Sequence, residues 1–457
     1  MIKLKNIKNQ KINLTTFIEI LFCTFPISFI VGNFLLSLHL LLFIVFSLYL
    51  IKKERLPIKL DNIHWLLVVF FLYLFLLTTI QFQSPGLLKD AIIDWPLEGN
   101  PIFKSFILIR FLILIIIVDI LFSNKKLNLE KFFIISLICT SFVSVDLLIQ
   151  YFLGFDIFGL EATSPDRFSG PFGKEYIAGS YLQKFSLFGI FYVFQIYRSK
   201  KINNLLLIFL IALHALPTLV AGNRMSLILL VFGFFIIFIL VKKLRFAIVS
   251  GMVVFSALSF ILLKNNEQLK NTYEYLFESI NLLKPVDYVF RDTRDGIAGS
   301  DQQRKLKKKV LILRTSGHGA IYRTSISMWE EKPLFGFGLK SFRIKCWEIL
   351  PRINNRRCST HSHNYYLELL SETGLVGTSL MSIFFLILLK RSYYHIRKKN
   401  KELDPNTIMT TALIVVAIIE IWPLRSSGSF FTTWNASFFW LNAAMLLAVT
   451  KKNSLTG

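Results

Sequence analysis

The sequence predicts an all-α polytopic membrane protein of about twelve transmembrane helices, with one large loop between the ninth and the tenth. Three observations carry that reading. Hydrophobic residues make up 54% of the chain, 46 residues are Phe and mean hydropathy is +0.56, far outside the soluble range. Apolar windows of about 20 residues, the length that crosses a bilayer as helix, recur along the chain. Basic residues gather in alternate connections, as expected when a multi-span protein keeps Lys and Arg on its cytoplasmic side. The formal charge of +24 therefore calls for no nucleic-acid partner.

Met1 to Lys11 carries four lysines and reads as a cytoplasmic start. Spans are expected near 14–31, 33–51, 64–82, 104–122, 132–153, 176–197, 203–221, 225–241, 245–263, 374–391, 407–423 and 432–450. The first apolar run continues into a second, with no convincing small-residue cleavage site, so it reads as a span and not as a removed signal. On one side lie Lys52-Lys53-Glu54-Arg55, Lys125-Lys126, Lys200-Lys201, Lys242-Lys243, Lys390-Arg391 and Lys451-Lys452. On the other lie the turn at Gly32, the loops 83–103 and 154–175 with their acids, and the long polar segment. Both termini come out cytoplasmic. The chain thus divides into 1–263 with spans one to nine, a loop over 264–373, and 374–457 with the last three spans.

That loop, about a hundred residues, is too large to be a mere connector. It is net basic, with a run at Arg304-Lys305-Leu306-Lys307-Lys308-Lys309, and long loops are exempt from the positive-inside count. No internal repeat, P-loop, dinucleotide fingerprint or HExxH pattern is present. Of four cysteines, Cys23 and Cys139 fall inside spans as apolar packing residues. Cys346 and Cys358 stand twelve apart in the loop, with no second pair to suggest zinc. Two readings stay open for them: a disulfide that ties down the segment before His361 and His363, or two free thiols.

The loop closes on Thr360-His361-Ser362-His363-Asn364-Tyr365-Tyr366-Leu367-Glu368-Leu369-Leu370-Ser371-Glu372-Thr373-Gly374-Leu375-Val376-Gly377 and runs on into a span. Read as one helix, Gly374 and Gly377 return to the face of His363, while Glu368 and Glu372 point the other way. From His363 to Leu389 is 27 residues. That is roughly 40 Å of helix against a hydrocarbon core of about 30 Å. The helix must project beyond the bilayer or bend near Gly374, and either places His363 at a membrane surface.

His363-Asn364, nine residues, Gly374, two residues and Gly377 resembles the signature of the bacterial O-antigen ligase family, whose superfamily includes O-antigen polymerases. Arg224, in Ala221-Gly222-Asn223-Arg224 before a span, looks like that family's donor-binding arginine. A charge so close to the bilayer needs a partner, a water-filled cavity or a lipid phosphate to snorkel to. Arg323, with Trp329 six residues on and then Pro333-Leu334-Phe335-Gly336-Phe337-Gly338, is similar to the family's loop pattern. Arg167, in Arg167-Phe168-Ser169-Gly170-Pro171-Phe172, resembles an arginine segment between its fifth and sixth spans. The bland alternatives are a solvated loop arginine and an ordinary turn.

The resemblance implies a glycosyltransferase. Arg224 and Arg323 would hold the diphosphate of a polyprenyl-diphosphate-linked glycan with forked, permanently charged donors. His363 would be the base or would position the acceptor. Arg167, Asn364, Gly374, Gly377 and, as a lesser candidate, His361 would contribute to substrate binding. The acceptor would be lipid A-core for a ligase, or another lipid-linked repeat unit for a polymerase. No cofactor and no metal is expected, since the His361 and His363 pair lacks a third ligand nearby. Other polysaccharide-assembly proteins are possible partners, and the implied location is the bacterial inner membrane with the site facing the periplasm. A transporter of lipid-linked glycans is the non-enzyme alternative; it predicts paired halves and mid-membrane broken helices, which the sequence does not display. Arg110 reads as snorkelling, His214 as packing, and Glu420 with Arg425 as part of the cavity wall or as a pair at its rim.

Overall fold

The computed structural model describes residues 13–83, 100–197, 202–280, 285–291, 305–311, 317–349, 358–398 and 405–451. Helices stand at all twelve predicted positions. They are α1 (Leu14–Cys23) with α2 (Phe25–Val31), α3 (Asn33–Lys53), α4 (Asn62–Gln83), α5 (Pro101–Ser123), α6 (Leu129–Leu153) and α7 (Ala178–Tyr197). After these come α8 (Ile202–Val220), α9 (Arg224–Leu240) and α10 (Arg245–Asn265). Among the described residues six helices are long and apolar enough to cross a membrane, seven if the bent pair α1–α2 is one span. Three further apolar helices are shorter: Asn204–Val220, Arg224–Leu240 and Thr407–Glu420. Length and apolarity thus support six or seven of the twelve expected spans.

The polar loop holds α11 (Glu267–Ile280), an antiparallel ribbon of β1 (Pro285–Arg291) and β2 (Lys305–Leu311), α12 (Gly317–Glu331) and α13 (Phe342–Ile349). Helix α14 (Tyr365–Lys398) leads back into the bundle and is followed by α15 (Pro405–Glu420) and α16 (Thr433–Thr450). The membrane part is helical throughout its described residues because an apolar solvent leaves backbone N–H and C=O groups no partner outside their own segment.

Aromatic rings fill the bundle core. Phe22 packs on Phe132, Phe188 on Phe133, and Phe185 on Phe438, with centroids 5.5, 5.0 and 4.9 Å apart. Other large apolar side chains point outward, as with Phe34 and Phe260, 83% and 72% exposed; a lipid-facing surface accounts for them. Asn100, Asn128 and Asn223 cap the starts of α5, α6 and α9 through their side-chain oxygens. Three buried charges inside the bundle pair with one another. Glu420 meets Lys184 Nζ at 2.7 Å and Arg425 Nη1 at 3.1 Å, all three at least nine-tenths buried, so the Glu420–Arg425 pair lies within the bundle and not at a rim. Arg110, expected to snorkel, instead donates to Thr433 Oγ1 at 3.3 Å.

The break in α14 falls at Gly374, whose φ of +62° interrupts the helix. Of the two alternatives that the length of the segment left open, projection or a bend near Gly374, the chain shows a break at Gly374. A break frees carbonyls before it and N–H groups after it. The Pro333–Gly338 turn satisfies both: Phe337 and Gly338 donate to Ser371 and Glu372 carbonyls, while Leu375 and Val376 donate to Pro333 and Leu334. Tyr73 of α4 adds a bond to the Thr373 carbonyl at 2.7 Å. Beyond the turn, Ile321, Met328, Phe337, Phe342 and Cys346 form a small separate core, closed by a disulfide between Cys346 and Cys358 with Cα atoms 5.6 Å apart.

Candidate functional site

Helix α14 begins at Tyr365, so His363 is not on it. His363 sits in the left-handed region, φ +54°, an uncommon conformation for a side-chain-bearing residue. Its carbonyl accepts from Ser427 N–H at 2.9 Å and its Nε2 lies 3.1 Å from Ser359 Oγ. Asn364 is spent within the protein. Its carbonyl oxygen accepts from Tyr366 and Leu367 N–H as the cap of α14, and its amide donates to the Pro423 and Arg425 carbonyls. These bonds make Asn364 a staple that joins α14 to the 421–432 connection.

The motif glycines sit in close packing. A Cβ on Gly374 would fall 2.4 Å from the Leu334 carbonyl oxygen, and one on Gly377 would fall 2.3 Å from Thr373 Oγ1. Two glycine motifs distant in sequence meet face to face here, since a Cβ on Gly336 would fall 2.6 Å from the Gly374 nitrogen. Glu368 and Glu372, read as facing away, are the buried braces of the site. Glu368 accepts from Ser429 Oγ and from Phe430 N–H at 2.5 and 2.7 Å. Glu372 accepts from Lys340 and Phe342 N–H at 2.8 and 3.3 Å, which fixes Lys340 at φ +63°.

Three histidine rings lie side by side. His361 and His363 have centroids 4.1 Å apart, and His318, from α12, stands 5.0 Å from His363 edge to face. Sequence reasoning missed His318, which sits in Gly317-His318-Gly319 with no motif around it. All three are held below the usual histidine range, with burial the largest cause. Arg224 adds to the effect at His318, and His318 adds to it at His363. His361 is pushed down to about 3, with His363, Lys340 and Arg343 contributing after burial. These rings are neutral at pH 7, which suits a proton acceptor. Among the described residues no three His, Cys, Asp or Glu side chains are placed to hold a metal ion.

Arg224 opens α9, directly after its cap Asn223. Arg167 is brought to the same corner. Gln150 Oε1 accepts from Ser169 and Gly170 N–H, which folds the 154–175 loop back over the bundle. Arg167 lies 5.9 Å over the Tyr176 ring. Only glycine fits beneath this loop: a Cβ on Gly222, φ +68°, would fall 2.3 Å from the Asp166 carbonyl oxygen and 2.8 Å from Arg167 Cγ. Arg323 stands five residues along α12 from His318, half-buried and engaged by other groups. A cavity of about 580 Å³ opens between Asn223 on one side and Lys340 with Arg343 on the other.

Fold and site together define a polytopic helical membrane protein in which three histidine rings meet beside a polar loop and a polar cavity lies between Asn223 and Lys340 with Arg343. Residues 205–382 match the family model described as O-antigen ligase, and this segment holds Arg224, Arg323, His363 and both glycine motifs. No curated protein matches the chain.

Proposed function

We propose that this protein is an O-antigen ligase-type glycosyltransferase that moves a polyprenyl-diphosphate-linked glycan onto lipid A-core. The observation that carries the reading is the approach of Arg224, at the start of α9, to His318 and through it to His363 within the family-matched segment. Arginine and neutral histidine are the two groups that this transfer needs. Arg224 and Arg323 hold the diphosphate, and Arg167, beside the Gly222 turn, extends the positive corner. The acceptor hydroxyl attacks the anomeric carbon with inversion. Its new C–O bond forms as the bond to diphosphate breaks, polyprenyl diphosphate leaves with the electron pair, and the hydroxyl proton passes to the His363 imidazole. The energy resides in the glycosyl–phosphate bond, so neither nucleotide nor metal is required.

In this reading all twelve helices are spans, both termini are cytoplasmic, and the site faces the periplasm of the inner membrane. The Cys346–Cys358 bridge fits that oxidising side. Deletion in the native host, followed by a lipopolysaccharide gel and extraction of polyprenol-linked glycans, tests it. A ligase leaves bare core and long polyprenol-linked chains. Core carrying one repeat unit, with single units on the polyprenol, makes the protein a polymerase. Unchanged lipopolysaccharide and polyprenol pools overturn both.

A further inference from the structure

Besides the polar cavity, an open apolar cleft of about 450 Å³ lies between α9 and α10. One stripe of each helix lines it: Val231, Phe235 and Phe238 from α9, and Ile248, Val253 and Ser256 from α10, with Ser256 the lone polar side chain. Each helix is seated on a different neighbour through its opposite face. A Cβ on Gly233 would fall 2.7 Å from Ile419 Cδ1 of α15, and one on Gly251 would fall 2.8 Å from Ile211 Cγ2 of α8. Phe235 and Val253, 57% and 63% exposed, form the rim, so the cleft opens sideways to the bilayer. An apolar recess in hydrocarbon is filled by an acyl chain, because a void forfeits the dispersion contacts of its walls.

Charge selects the lipid. The two helices join through the 3-10 turn Lys242–Leu244, at one end of the cleft. Lys242 and Lys243 are exposed there, and among the described residues neither side chain has a hydrogen bond or an ion pair. Residues 224–263 contain no Asp or Glu to offset them. Arg245 is already used: its Nε donates to the Phe238 carbonyl at 2.8 Å, and its guanidinium lies 5.1 Å from the centroid of the Phe238 ring. Lys242 stands eleven residues beyond Val231, about 16 Å along the helix axis. Half of the hydrocarbon core is about 15 Å. Cleft and lysines together therefore have the reach of one leaflet, with the charge at its surface and the stripes at its chains.

We propose that this cleft binds one anionic glycerophospholipid, its phosphate held by Lys242 and Lys243 and one acyl chain laid along the two stripes. Basic pockets between membrane helices recognise such headgroups, and each lysine near a membrane surface contributes roughly a fivefold preference for them. The inference rests on the membrane reading of α9 and α10 and not on the transfer reaction.

The test is site-resolved quenching by brominated lipids, with the full chain in phosphatidylcholine vesicles. Phe235→Trp places a reporter on the cleft rim. Val45→Trp places one on an exposed position of α3, seven residues before Lys52 as Phe235 stands seven before Lys242. Each signal is taken as the difference from the wild type, which removes the native tryptophans. Brominated phosphatidylglycerol is expected to quench the Phe235→Trp signal at about tenfold lower mole fraction than brominated phosphatidylcholine, with no such gap at Val45→Trp. Lys242→Gln with Lys243→Gln is expected to close the gap without lowering thermal stability. Equal quenching by the two lipids at Phe235→Trp overturns the inference, and so does a preference that survives the double substitution. The same preference at Val45→Trp also overturns it, reducing the effect to a general attraction of basic rims. Displacement of the brominated phosphatidylglycerol by sugar-free polyprenyl diphosphate at equal mole fraction overturns it too, and gives the cleft to the tail of the proposed donor.

Discussion

Two groups of ionisable side chains, one inside the bundle and one on its polar crest, are built on opposite principles. Inside, Glu420 is clamped between Lys184 and Arg425, with Lys184 4.5 Å over the Phe438 ring and Arg425 5.0 Å over Tyr365. Each charge faces an opposite charge or an aromatic face, because an unpaired ion there would be severely destabilising. On the crest, His363 lies edge to face with His318 and tilted against His361, with arginines nearby, and the chain turns through positive φ at Lys340 and His363. Backbone of that kind persists only where its surroundings over-determine it. The paired cluster builds the scaffold, and under the proposed function the crest supplies the bases and positive charge that meet the substrate. The two are joined, since Asn364 donates to the Arg425 carbonyl while the neighbouring His363 carbonyl accepts from Ser427.

The sharpest way to break this contrast is to substitute on both sides of it. His363→Ala and Arg224→Ala are expected to lower transfer by at least about 100-fold with normal membrane insertion and thermal stability, since the base alone contributes on the order of 10²–10⁴-fold. Glu420→Gln should do the reverse in kind. It leaves two buried cations without a carboxylate and is expected to cost about 3–5 kcal/mol, read as a lower melting temperature in nanodiscs, with Lys184→Met restoring part of the loss. Equal stability of the Glu420 variant and the wild type would remove the distinction between scaffold and site.

Smaller effects test the link between them. Gly374→Ala forces a Cβ into the Leu334 carbonyl at a positive φ, so a loss of about 1–3 kcal/mol is expected, with faster hydrogen exchange in the 333–338 turn. Serine at Cys346 and Cys358 opens a short covalent loop, worth up to about 3 kcal/mol, and should appear as proteolysis of the segment before His361 and not as global unfolding. The least is a shift in pH dependence. His363 must be neutral to accept a proton and its pKa is lowered by burial and then by His318, so kcat/KM should fall on the acid side only below the ordinary histidine value. His318→Gln removes one of those causes and should move that limb to higher pH. A limb that stays put assigns the titration to another group.

Much of the fold was legible because its causes are local. Apolar windows set the positions of twelve helices, and a segment too long for the bilayer left either a projection or a bend near Gly374, where the helix breaks. The arginines and His363 stand out in the sequence as charged or titratable groups beside apolar windows. What was not legible depends on contacts between distant residues. Gly374 and Gly377 looked like ligand-facing glycines, yet their space is filled by the Leu334 turn and by Thr373. Placing Glu368 and Glu372 on a far helix face assumed a helix running through His363; the helix starts two residues later, and both acids point into donors from other segments. His318 carries no pattern of its own, and only the packing of α12 against the 358–364 segment brings it to His363.

The central claim is that this chain alone transfers a glycan from polyprenyl diphosphate with His363 as the base. The direct measurement is transfer by purified protein in nanodiscs, supplied with a polyprenyl-diphosphate-linked glycan and lipid A-core, without nucleotide or added metal. Glycosylated core in the wild type, with at least about a 100-fold slower rate in His363→Ala and Arg224→Ala, is the expected result. Full transfer by both variants, or no product from intact wild-type protein with both substrates present, would contradict it.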